Sequence, residues 1–214
     1  MTKKVFISYW LLLTVGMATV VFNSYGQASN TTDRGVVING VKWATRNVAV
    51  PGTFAAKPED AGSFYQWNRK VSWPATGEEV SSNWDSSRQS GKAWKKSNDP
   101  SPAGWRVPTG GEFLSLLDKK KVDYERTTIN GVMGGKFTDK ETGNSIFLPG
   151  AGFRYGRNGE LCGSSVAMGQ GYYWNSETSS YGPAVTILQL LSDRAQLNNE
   201  DRAYGLSVRS VADE

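Results

Sequence analysis

Histidine is absent from all 214 residues, and cysteine occurs once, at Cys162. Without imidazole the chain lacks the usual general base near neutral pH and the commonest metal ligand. A single thiol makes no internal disulfide and no cysteine metal cluster. Basic runs are scarce too. The formal net charge is +4, two of those charges come from Lys3 and Lys4, and the one concentrated run is Lys119-Lys120-Lys121. A solvated helix end accounts for such a run, so no nucleic-acid binding is expected. There is no internal repeat, no glycine-rich phosphate loop before a helix and no Gly-x-Ser-x-Gly elbow. The acids open to a carboxylate-pair hydrolase (Glu59-Asp60, Glu78-Glu79, Glu141) sit in Gly- or Pro-flanked turn contexts that suit solvated side chains. The expectation is a protein that is not an enzyme, with no cofactor and no metal.

What the chain does have is aromatic residues (12%, with eight Trp) and 24 Gly. That combination suits a loop-rich α+β or β fold better than a helical bundle. Residues 1–28 read as a signal peptide: Lys3-Lys4 forms the positive start, an apolar run follows to Phe22, and small residues (Ser24, Gly26, Ala28) mark a cleavage region. The rival reading is a retained anchoring helix. The expected location is exported, meaning cell surface, secreted or periplasmic, with no membrane insertion after cleavage. Residues 29–35 are a flexible lead-in, and residues 36–214 one domain.

Within that domain, Asn39-Gly40 between apolar runs predicts a hairpin with a type I′ turn. Residues 58–98 have weak periodicity but dense rings (Phe64, Tyr65, Trp67, Trp73, Trp84, Trp94). They read as an irregular region packed on a sheet, with carbohydrate stacking the sharper alternative. Thr109-Gly-Gly-Glu112 predicts a capping box, followed by Phe113, Leu116 and Leu117 at helical spacing. Strands are expected at 131–139, 145–148, 172–174, 184–191 and 206–211, with a turn at Asn158-Gly159. Between Glu177 and Asp201 the alternation of polar and apolar residues breaks down, which suggests a surface that meets a partner.

Two motifs, Ile38-Asn-Gly-Val-Lys-Trp-Ala-Thr-Arg-Asn47 and Asp99-Pro-Ser-Pro-Ala-Gly-Trp-Arg-Val-Pro108, resemble the Fibrobacter succinogenes major paralogous domain of exported Bacteroidetes proteins. Phe147-Leu-Pro-Gly-Ala-Gly-Phe-Arg-Tyr155, Gly171-Tyr-Tyr-Trp-Asn-Ser176 and Gly205-Leu-Ser-Val-Arg209 extend the likeness over about residues 36–211. The chain departs from the family at Asn175, where serine is usual, and at Ser210, where cysteine is usual. The resemblance implies an α+β, C-type-lectin-like (formylglycine-generating-enzyme-like) fold of short antiparallel strands, few helices and long irregular loops. It also implies a likeness to the variable proteins of diversity-generating retroelements, whose C-terminal segment, here about 171–209, displays diversified residues. The displayed positions would be Asn175, Glu177, Tyr181, Val185, Thr186, Gln189, Arg194, Gln196, Asn198, Asn199, Asp201 and Tyr204. For Val185 and Thr186 a core role is an equal reading, because apolar residues alternate there. The implied function is ligand binding, to an unknown protein or glycan, in adhesion or recognition at the cell surface. The alternatives are a structural adhesin or pilus-tip subunit that partners fimbrial subunits, and a glycan-processing or cysteine-oxidising enzyme. The motifs of calcium-dependent lectins are missing, and one cysteine cannot supply an oxidising pair.

Overall fold

The computed structural model describes residues 32–77, 80, 83–163, 169–179 and 184–213. The expected signal peptide and Tyr181 lie outside the described residues. The first five strands are β1 (Val36–Ile38), β2 (Val41–Trp43), β3 (Ser63–Gln66), β4 (Ser72–Pro74) and β5 (Trp105–Arg106). One α-helix follows, α1 (Gly110–Leu116), then β6 (Val122–Ile129), β7 (Val132–Asp139), β8 (Ser145–Pro149), β9 (Phe153–Arg154) and β10 (Leu161–Cys162). The last are β11 (Gly171–Thr178), β12 (Ala184–Leu190), β13 (Ala195–Asp201), β14 (Gly205–Ser207) and β15 (Val211–Ala212).

These strands form three sheets. One has the order β1-β2-β15-β5, and one is the meander β6-β7-β8. The large one runs β10-β9-β14-β11-β12-β13, with β3 and β4 joined through β14. The expected α+β, C-type-lectin-like class is overturned: the chain is mostly β, with 42% strand and a single seven-residue α-helix among the described residues. The physical reason is that α1 covers one end of a β core and builds no layer of its own. Its apolar stripe contributes only Phe113 and Leu116 to the interior.

Local rules set the turns. Asn39 and Gly40 take positive φ (45° and 80°), and Ile38 pairs with Val41 across them, as a type I′ turn requires. Asn130-Gly131 repeats the device with φ of 48° and 83°, joining β6 to β7. At the helix start, Thr109 Oγ1 accepts from the Glu112 N–H at 3.3 Å and Glu112 Oε2 accepts from the Thr109 N–H at 2.6 Å. Arg106 then grips Glu112 with two nitrogens, at 2.9 and 2.7 Å. Replacing Thr109 by alanine is expected to cost about 1 kcal/mol in chemical denaturation.

The large sheet is covered on both faces around β11 and β12. Tyr172, Trp174, Val185 and Ile187 join Trp67, Trp94, Leu206 and Val208 in one core. Tyr173, Leu188 and Leu190 join Trp43, Phe113, Phe137 and Leu148 in the other. Successive residues of a strand point to opposite faces, so two cores on one strand leave no polar alternation. β13, paired only with β12 in the sheet order, carries the polar side chains.

Candidate functional site: an amide and tyrosine face of the large sheet

Register aligns Tyr172 of β11, Gln189 of β12 and Gln196 of β13 in one row across three strands. Gln189 Oε1 accepts hydrogen bonds from Gln196 Nε2 at 3.3 Å and from Asn198 Nδ2 at 3.1 Å. The Tyr172 hydroxyl donates to Gln170 Oε1 at 2.7 Å. Arg194 Nε donates to Gln196 Oε1 at 3.0 Å, extending the row to the β12–β13 turn. On the other side of Tyr172 stands a ledge of rings. Phe153 lies 4.9 Å from Tyr172 and 5.5 Å from Tyr204, and Tyr155 lies 5.3 Å from Tyr204, edge to face. Tyr155 is among the few exposed large apolar side chains, at 39%.

This face can accept a ligand's flat or ring surface on tyrosines and offer it paired amide donors and acceptors. Such chemistry gives directional contact at small entropic cost. One carboxyl stands on the same face: Glu200 alternates with Asn198 and Gln196 along β13. Burial raises the Glu200 pKa above its ordinary 4.5, and the Asp201 charge pushes the same way. Burial also pushes the Tyr204 hydroxyl up to about 12, with Glu200 adding to the effect.

A raised carboxyl pKa in the folded state means that the fold holds this proton more tightly than the unfolded chain does. Stability from this group is therefore lost as pH rises from 4.5 through the folded value. Glu200→Gln is expected to melt about 1 °C higher than the parent at neutral pH, and level with it at about pH 4, in paired thermal scans.

The twelve residues expected on display do not form one patch. Gln189, Gln196 and Asn198 meet as described, with Arg194 and Tyr204 at the two ends. Thr186 and Asn199 pair on the opposite face, with Thr186 Oγ1 donating to Asn199 Oδ1 at 3.2 Å. Asn175 and Val185 are drawn inside, at 1% and 0% exposure. Asn175 Oδ1 accepts from the Glu177 N–H at 2.7 Å where the β11 register shifts, and its carbonyl accepts from Trp67 Nε1 at 3.2 Å. Glu177 is exposed and accepts from the Gly110 N–H at 3.1 Å.

Asp201 is engaged by Arg88, whose Nε lies 2.8 and 2.7 Å from the two carboxylate oxygens. Burial works to raise the Asp201 pKa, but hydrogen bonds from Arg88 and the Ala203 N–H outweigh it and hold it low. Arg202, 4.5 Å above the Trp67 ring, donates to the Gln89 and Gly91 carbonyls and ties the preceding loop to the same corner.

Sequence reading missed Phe153, Tyr155, Gln170, Tyr172 and Glu200 as members of this face. The available signal was Phe153 and Tyr155, two rings at strand spacing beside a glycine turn. Cys162, in the neighbouring strand, is half-buried, and burial with Glu160 nearby raises its thiol pKa. A thiol kept protonated is a weak nucleophile. Glu59 is held by Asn130 Nδ2 at 2.7 Å. Among the described residues no His, Cys, Asp or Glu cluster is built to hold a metal, and no helix is long and apolar enough to cross a membrane. No protein-family model, curated protein or solved structure matches the chain.

Proposed function

We propose that this chain is an exported recognition protein that binds a protein or glycan non-covalently through the amide and tyrosine face. It would do so as a variable protein of a diversity-generating retroelement, related by its motifs to the Fibrobacter succinogenes major paralogous domain. The observation that carries the reading is the row Gln189, Gln196 and Asn198 lying beside the Tyr155 and Tyr204 ledge. The order of the segment supports it as well. Its framing motifs fall on the start of β11, where residues 171–175 are buried, and on the buried β14, while most of the polar side chains between them lie on β13. Buried frames and a polar insert are what a scaffold with exchangeable positions needs. The C-type-lectin architecture forms no part of this proposal.

The test has two parts. Screening the protein against a glycan array and immobilised cell-surface proteins should yield a binder. The triple substitution Gln189→Ala, Gln196→Ala and Asn198→Ala should then weaken that binder at least about tenfold, with the melting temperature unchanged. Full binding by the triple variant would move the site elsewhere. Sequencing the flanking DNA separates a diversified receptor from a fixed one. A near-copy of the codons for 171–209, differing mainly at adenines and beside a reverse transcriptase gene, is the expected finding.

A further inference from the structure

A second recess lies on the other side of β13, where α1 ends. Its volume is about 370 Å³, and its walls come from the end of α1, the first residues of β6, the end of β7 and the β12–β13 turn. That volume is in the range that holds one small molecule. The floor is apolar: the half-buried Leu117, Tyr124 and Ala195 face the recess, backed by the buried Val122 and Phe137. The Tyr124 hydroxyl is already spent on the Leu191 carbonyl at 3.1 Å, and the Tyr124 and Phe137 rings lie 5.2 Å apart. What an occupant meets is the Tyr124 ring and the aliphatic surface of Leu117 and Ala195.

Charge gathers at the rim, with Lys119, Lys140 and Arg194 against Asp123 and Asp193. Two of the cations are neutralised: Lys140 pairs with Asp123 at 3.0 Å, and Arg194 with Asp193 at 3.0 Å. Lys140 Nζ also donates to the Lys119 carbonyl at 2.8 Å, fixing the backbone that carries Lys119. Among the described residues the Lys119 ammonium has no carboxylate partner. An apolar floor under one unbalanced cation selects a molecule with an apolar body and one negative end.

We infer that this recess binds a small monocarboxylate with an aromatic or branched aliphatic body. The carboxylate meets Lys119, and the body packs against the half-buried Leu117, Tyr124 and Ala195, which lie over the buried Val122 and Phe137. Because Ala195 and Gln196 alternate along β13, this site and the amide row use opposite faces of one strand. It stands independently of the recognition reading.

Phenylacetate is the probe, with phenylacetamide (neutral) and benzylamine (cationic) as controls, titrated into the purified protein and followed by amide NMR shifts. Phenylacetate is expected to give saturable shifts at Val122, Tyr124 and Ala195, with half-saturation below about 10 mM. The two controls and the exposed-site variant Lys119→Glu are each expected to bind about tenfold more weakly. Ala195→Phe, which fills the recess while leaving Lys119 in place, is expected to abolish the shifts with the rest of the spectrum retained. Absence of saturation, equal binding of benzylamine or phenylacetamide, or unchanged affinity in Lys119→Glu would each overturn the assignment.

Discussion

Replacing Arg209 by methionine is expected to lower the stability of the fold by about 3–5 kcal/mol. The side chain is fully buried and donates three ways: to Asn47 Oδ1 at 2.9 Å, to the Ala44 carbonyl at 3.1 Å and to the Phe147 carbonyl at 3.0 Å. Residues 44 and 47 follow β2, Phe147 is in β8, and Arg209 follows β14, so one guanidinium joins the margins of all three sheets. Burial lowers its pKa to about 10, which leaves it charged at neutral pH. Methionine fills comparable space but supplies no donor, and three buried acceptors lose theirs. Lysine keeps the charge and loses the planar fork, so Arg209→Lys is expected to recover less than half of the loss. Urea denaturation with the slope held in common reads both effects. A loss below about 1 kcal/mol for Arg209→Met would mean that water takes over the three bonds.

The parts of this fold legible from sequence are those fixed by short-range stereochemistry. Asn39-Gly40, the Thr109 and Glu112 capping box, and the turn at Asn158-Gly159 need only local backbone preferences, and each is present. The rings of 58–98 also went where dense aromatics go: Phe64, Tyr65, Trp67, Trp73 and Trp94 are buried. β6 escaped notice although Asn130-Gly131 announces its hairpin, because Asp123 to Thr128 are mostly polar and lie on an outer strand of a small sheet. The central strands misled for the opposite reason. β12 loses alternation because cores press on both of its faces, with Val185, Ile187, Leu188 and Leu190 all at 0% exposure. A broken pattern therefore means either display or double burial, and only the pairing of strands tells them apart. The rings that complete the candidate face, Phe153 and Tyr155, approach Tyr204 from some fifty residues away, a contact no local pattern encodes.

The segment 171–209 should divide sharply under substitution, and Trp174→Ala marks the intolerant side, with an expected cost of about 3–5 kcal/mol. Trp174 is wholly buried among Tyr65, Trp67, Val185 and Leu206, and its Nε1–H donates to the Tyr65 carbonyl at 2.6 Å. Truncation opens a cavity the size of an indole between β11 and β3 and strips that carbonyl of a donor, and the rigid rings around it cannot close the gap. Asn198→Ala, in the same segment, removes an exposed amide that donates to the Gln189 amide and accepts from the exposed Asn199 N–H, both replaceable by water, and is expected to stay within about 0.5 kcal/mol. A segment rewritten by mutagenic copying can exchange only residues whose loss costs this little, because a fold held by a few kcal/mol cannot absorb the other kind. Melting curves for single substitutions along 171–209 therefore test the recognition proposal before any ligand is known. Tolerance at Gln189, Gln196, Asn198 and Asn199, with collapse at Trp174, Ile187 and Leu206, is the profile that exchangeable positions on a fixed frame must have. Uniform intolerance along β13 would make this strand part of the frame and leave the chain no surface to vary there.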